Sequence, residues 1–152
     1  MGKIPEVSST LLSGVRIVLV EPQYGGNIGQ CARALLNTGL HRLVLVNPRE
    51  HLTEEAFWMA RDGRRLLEEA EVTGSLAEAL RPVGMALATT RRIGRHRPAD
   101  FTPRQAAAHV VPLLEAGNGV ALVFGREDNG LKSEEIDLCQ GVISIPASAE
   151  FP

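Results

Sequence analysis

Three short stretches hold the residues whose types and spacing could do chemistry. In VEPQYGGNIGQCARALLNTG (20–39) an apolar run ends in glycines, and the helical pattern that follows carries Asn27 and Arg33. In ATTRRIGRHRP (88–98) two hydroxyls, Thr89 and Thr90, precede Arg91, Arg92, Arg95 and Arg97, with His96 among the arginines. In ALVFGREDNGLKSEE (121–135) a strand-like run ends at Gly125, followed by Arg126, Glu127 and the Asp128-Asn129-Gly130 turn signal. Glycines between a strand and a helix can cradle phosphate, threonine hydroxyls can orient polar ligand groups, and the planar fork of arginine suits phosphate better than lysine does. Of the 16 basic residues only Lys3 and Lys132 are lysine, so a local arginine patch able to neutralise RNA phosphates is expected despite the net charge of -2.

The glycines do not match the dinucleotide fingerprint. Aligning Gly26 and Gly29 with its last two glycines puts Tyr24 at the first, and no acidic residue follows the second strand, which ends Val46-Asn47-Pro48. A Walker loop is excluded because no Gly-Lys-Ser/Thr follows. A plain tight strand-to-helix turn remains an open reading for Gly25 and Gly26. At about 100° per residue, Ile28, Ala32, Leu35 and Leu36 share one helix face, while Gln30, Arg33 and Asn37 lie on the other. Arg33 is therefore exposed one turn into a helix that starts at the C-terminal edge of a strand, where ligands gather in such sheets.

No serine lies in a nucleophile elbow, the four histidines lack metal-ligand spacing, and Cys31 and Cys139 fit buried free thiols better than a disulfide or zinc pair. No metal is expected. Trp58, with Phe57 and Met59, reads as core or as a partner-facing patch. Aromatic residues are nearly absent near the arginine loop, so that loop alone is not expected to read stacked bases.

The elements that must position these residues follow from periodicity. Residues 1–13 have no period and read as a loose extension, leaving one domain over 14–152. Strand-like runs at 15–20, 42–46, 71–73, 84–89, 120–125 and 142–146 alternate with helical patterns at 27–38, 53–69, 75–80, 102–115 and from Ser133 onward. Ser133 is expected to cap that last helix, with Glu134 and Glu135 in its first turn. This alternation predicts an α/β fold with a mostly parallel sheet and helices on both faces. The apolar blocks VGMALA and GVALVF are too short to span a bilayer and no signal-peptide pattern opens the chain, so a cytosolic protein is expected.

Taken together, VEPQYGGNIGQCARALLNTGLHRLVLVNP, ALVFGREDNGLKSEEIDLC and VISIPASAEF resemble successive motifs of the SPOUT (alpha/beta-knot) RNA 2'-O-ribose methyltransferases, of the TrmH type and nearest its TrmJ branch. The resemblance covers about residues 15–152. It implies a Rossmann-like sheet with a C-terminal deep trefoil knot, a homodimer, S-adenosylmethionine held in the knot loops, and methyl transfer to a ribose 2'-hydroxyl. The implied substrate is tRNA nucleotide 32 in the anticodon loop; other tRNA positions, rRNA, or a non-catalytic RNA-binding module of this fold are the alternatives. Arg33 matches the catalytic arginine of the N-x-G-x-x-x-R portion and Asn27 its asparagine. Cofactor contacts carry over to Thr89, Thr90, Arg91, Gly125 and Ile145, while Arg91, Arg92, Arg95 and Arg97 are the expected RNA-binding arginines. In the family the arginine is proposed as base. A guanidinium is a very poor base, and orienting ribose or phosphate while stabilising alkoxide charge is the physically easier role. The family motif continues past the aromatic residue, here Phe151, into a Ser-Leu-Asn segment and a knot-closing helix. The sequence ends at Pro152 and also lacks the additional C-terminal region of longer TrmJ-type enzymes, so a domain incomplete at its C-terminus is expected.

Overall fold

A computed structural model describes residues 9–90 and 99–145. Six strands form one sheet: β1 (Val15–Val20), β2 (Leu43–Val46), β3 (Glu71–Thr73), β4 (Met85–Thr90), β5 (Val120–Phe124) and β6 (Gly141–Ser144). Their order is β3-β2-β1-β5-β4-β6, and every pairing is parallel. The central strands are largely apolar and buried, as in VRIVLV and VALVF, with Arg16 of β1 paired to Glu71 at 2.8 Å and Leu19, Leu122 and Phe124 only partly buried.

The helices divide between the two faces. Ile17, Leu43 and Leu45 pack against α2 (Gly25–Thr38), α3 (Glu54–Ala60) and α4 (Arg64–Glu68), with Leu114 of α6 (Pro103–Glu115) in the same cluster. On the opposite face Val18, Val20, Val44, Val46, Ala121 and Val123 pack against α5 (Leu76–Leu80) and against Leu131 and Cys139, which flank α7 (Ser133–Asp137). A helical turn, α1 (Ser9–Leu12), falls inside the stretch read as a loose extension, and its Leu11 packs on the first cluster. Among the described residues no helix is long and apolar enough to cross a membrane.

The expected elements are all present, and three local readings are corrected. Leu36 is 45% exposed, because the packed side of α2 is set by Ile28, Ala32 and Leu35 toward the sheet and by its glycines toward α3. Ser133 does not cap α7. Lys132 occupies the N-cap position, and Glu135 accepts a hydrogen bond from the Lys132 backbone N–H at 2.6 Å. Trp58 is 72% exposed, which removes the core reading and leaves the surface one.

The strand order reverses at the boundary between β1 and β5. The chain passes from β1 outward to β2 and β3, then crosses to β4 and returns to β5 beside β1. A crevice opens at such a point along the carboxyl ends of the strands. Among the described residues, Asn27, Thr89, Thr90, Gly125 and Ile145 lie along that edge.

Candidate functional site

The loop after β1 begins with Glu21 in a left-handed backbone conformation (φ 45°) and leads through buried Pro22 to Tyr24, the N-cap of α2. Gly25 and Gly26 are the first residues of the helix, and their lack of side chains serves packing. A Cβ on Gly25 would come within 2.5 Å of Thr53 Oγ1, one on Gly26 within 2.8 Å of Glu55 Oε1, and one on Gly29 would collide with the Ala56 carbonyl. The glycines thus seat α2 directly on α3, which turns the opposite side of α2 outward.

Asn27 and Arg33 are both exposed, but on different flanks of α2. Six residues apart, they stand about 9 Å apart along the axis and about 120° apart around it. Asn27 lines a groove of about 490 Å³ together with Gly125 and Glu127, whereas Arg33 follows the backbone that abuts Gly63 on the other flank. Arg33 makes no ion pair among the described residues. Its guanidinium is available to an external anion.

The remaining expected contacts lie on three neighbouring strand ends. Thr89 and Thr90 close β4, Gly125 follows β5 and Ile145 follows β6, with β4 between the other two. Thr90 pairs in register with Ser144, and its carbonyl accepts from the Ile145 N–H at 3.4 Å. The Thr89 hydroxyl donates to the Val123 carbonyl at 2.9 Å, which ties β4 to β5 and leaves its oxygen able only to accept. Ile145 is 48% exposed, an apolar surface at an otherwise polar edge. At about 4.8 Å per strand spacing, the edge from β1 to β6 spans about 14 Å. Arg91, Arg92, Arg95 and Arg97 lie outside the described residues.

The loop after β5 folds back tightly. Arg126 and Gly130 exchange backbone hydrogen bonds at 3.2 and 2.9 Å, and Gly130 takes a left-handed conformation (φ 66°). The space a Gly125 side chain would need is filled by Gly130 and Leu131, so this glycine is required by its own loop, and a ligand would reach it through the backbone.

The two charged residues that follow were missed as structural parts of the site. Glu127 accepts from the Gln23 N–H at 2.9 and 3.2 Å, and Asp128 accepts from the Gln23 side-chain amide at 3.2 Å. Arg126, its side chain 9% exposed, forms a two-bond pair with Glu135 at 2.9 and 3.0 Å and donates to the Gly130 carbonyl at 3.1 Å. Its Nη2 also donates to Glu21. Burial opposes ionisation of Glu135. The bonds from Arg126 and the Lys132 N–H, with the charges of both residues, outweigh it and hold the carboxyl below its usual range. The only signal in the sequence was the ionisable pair Arg126 and Glu135 flanking a turn.

No group of three or more potential metal ligands exists among the described residues. What the edge offers instead is an apolar side chain, backbone groups and hydroxyl oxygens beside an exposed cation and an amide. That set could receive an organic ligand along the strand ends and an anion at Arg33.

Known proteins share this architecture. The probable methyltransferase from Bordetella pertussis superposes with a TM-score of 0.89 at 35% identity, covering 95% of this chain and 88% of that one. TrmJ from Z. mobilis superposes with a TM-score of 0.80 at 38% identity, covering 89% of this chain and 60% of that one. In sequence, the chain is 40% identical over 141 residues to the tRNA (cytidine/uridine/adenosine-2'-O-)-methyltransferase TrmJ of Pseudomonas aeruginosa, covering 93% of this chain and 55% of that protein. It is 35% identical to the tRNA (cytidine-2'-O-)-methyltransferase TrmJ of Methanocaldococcus jannaschii, covering 91% of this chain and 60% of that protein. The chain therefore spans between 55% and 60% of the length of these two curated relatives. The SpoU rRNA Methylase family matches residues 14–152, and the chain belongs to that family.

Proposed function

We propose that the protein transfers a methyl group from S-adenosylmethionine to a ribose 2'-hydroxyl of tRNA, at anticodon-loop nucleotide 32. The observation that carries this reading is the gathering of Asn27, Thr89, Thr90, Gly125 and Ile145 along the carboxyl ends of four adjacent strands, with exposed Arg33 on the helix that starts there. The two TrmJ relatives, named as tRNA 2'-O-methyltransferases, support the substrate class.

The cofactor supplies an electrophilic methyl group on a sulfonium centre. Ile145 and the ends of β4 and β5 would hold its purine and ribose. Asn27 orients the acceptor ribose through its amide. Arg33, permanently charged and without an ion-pair partner among the described residues, binds the adjacent phosphate and stabilises the alkoxide as the hydroxyl loses its proton. Arg91, Arg92, Arg95 and Arg97 are proposed to bind RNA phosphates.

The active form is a homodimer. Leu19, Leu122 and Phe124 on the two central strands are only partly buried where they line the groove beside α2, and a parallel sheet ordinarily covers both faces. A second copy would bury that strip, and light scattering of the purified full-length protein should give twice the protomer mass.

The test is incubation of the full chain with unmodified tRNA and rRNA transcripts and methyl-labelled cofactor, followed by mapping of 2'-O-methylated nucleotides. Label at tRNA nucleotide 32, abolished by Arg33→Ala, is the expected result. Label only in rRNA or elsewhere in tRNA moves the substrate. RNA binding that survives Arg33→Ala with no methylation by any form supports a non-catalytic RNA-binding module.

A further inference from the structure

Arg126 is a largely buried cation held by two carboxylates. It joins three segments at one point: the β1–α2 loop through Glu21, the β5 loop through Gly130, and α7 through Glu135. Glu21 holds a left-handed backbone that L-residues rarely adopt, and so does Asn47 at the end of β2, which donates to Glu21 at 3.4 Å. Glu127 clamps the next turn of the same loop by accepting from the Gln23 N–H. The β1–α2 loop is thus fixed from the β5 side by two consecutive residues, at the point where α2 begins.

A buried ion pair of this kind is weak evidence for stability, because desolvation offsets most of its attraction. What it supplies is geometry: the two-bond pair with Glu135 fixes the plane of the guanidinium, and that plane fixes Glu21. Both terminal nitrogens are already committed, so a role in gripping RNA phosphate is closed to this arginine.

We propose that Arg126 is a positioning residue for the methyl transfer inferred above, setting the β1–α2 loop, and with it Asn27 and Arg33, against the strand end that carries Ile145. The proposal rests on that reading of the activity. Arg126 touches neither substrate nor cofactor; it acts through Glu21.

The test uses the full chain, with Arg126→Lys, Glu21→Gln and the double variant. In Arg126→Lys the charge stays but the fork is lost. Loss of alignment by about 1 Å lowers kcat by about 100-fold. The calorimetric Kd for S-adenosylmethionine and the KM for tRNA should stay within about threefold of wild type, because neither ligand is touched. Amide hydrogen exchange across residues 21–28 should speed up while the strands keep their protection. Because both residues act through one contact, the double variant should be no worse than the more damaged single variant. Wild-type kcat in folded Arg126→Lys, unchanged exchange at 21–28, or multiplying effects in the double variant would overturn the proposal. Should Arg126→Lys fail to fold, Glu21→Gln alone carries the same kcat-without-Kd expectation, and its failure overturns it. A wild-type protein that methylates no RNA overturns the activity itself, and the exchange measurement still decides whether Arg126 fixes the loop.

Discussion

Gly29→Ala tests the seating of α2 on α3, on which the presentation of Asn27 and Arg33 depends. The added methyl group would meet the Ala56 carbonyl and stand 3.0 Å from the Met59 Cβ. The obstacle is backbone, which no rotamer change can clear. Overpacking of a core contact costs about 3 kcal/mol at the upper end of its usual range. Replacing glycine by alanine within a helix returns about 1 kcal/mol. The net loss is about 2 kcal/mol, which for a domain of this size lowers Tm by about 4–8 °C. Gly74→Ala is the control, since the nearest atom to its added Cβ is Glu78 Oε2 at 3.9 Å, and its change should stay within about 0.5 kcal/mol. Thermal unfolding followed by circular dichroism compares the two. Because the helix must lift to relieve the clash, Gly29→Ala should also lose methyl transfer at temperatures where it remains folded. A Tm equal to or above wild type in Gly29→Ala would refute the close α2–α3 contact and the explanation of the glycines built on it.

Three further outcomes follow from the same structure. Arg33→Ala should leave unfolding free energy within about 0.5 kcal/mol, because the side chain is exposed, while initial-rate assays show kcat lower by about 100-fold or more. Glu135 has a carboxyl held below its usual range, so the native state binds its proton less readily than the unfolded chain. Its contribution is full above the unfolded carboxylate range and is lost as pH falls through the folded value, and Glu135→Gln should flatten the acid limb of a denaturant-stability profile. Burial pushes the Cys31 thiol from 9.0 up to about 11, so the protonated native form is favoured between these values. Stability should fall as pH rises across that window, by at most about 3 kcal/mol, and the fall should vanish in Cys31→Ala. Alkylation of Cys31 near neutral pH should be slow, read by mass spectrometry.

The strands were legible because this sheet is mostly buried: VRIVLV, LVLV and VALVF are apolar but for Arg16, and between them the helices carry a different period. Even Glu71–Thr73, three residues long, stood out between a helix and a turn. Order in the sheet was not legible. That β5 inserts between β1 and β4 depends on crossovers whose length and path no local pattern records. Leu36 went the wrong way for a related reason. A helical wheel finds the apolar side, but α2 is packed on two sides at once, and glycine, which a hydrophobicity count treats as neutral, marks the second.

The site was readable where residue type alone decides exposure and unreadable where charge is buried. Arg33 was placed off the packed stripe of α2 from spacing, and the structure leaves it exposed. Arg126 and Glu127, adjacent in a charged loop, were placed at the ligand edge of the sheet, and nothing in their own stretch shows which partners they take. They are distinguished only by Glu21 and Gln23, more than 100 positions earlier in the chain, which the β1–β5 pairing brings within hydrogen-bond reach. Glu21 is hidden twice: its side chain pairs across the sheet, and its left-handed backbone is one that sequence rules assign to glycine or asparagine. An observed exception of that kind persists only where surrounding contacts over-determine it. Here those contacts come from Asn47 and Arg126, from opposite sides of β1. The conformational cost at Glu21 is therefore carried by the same groups that aim the start of α2.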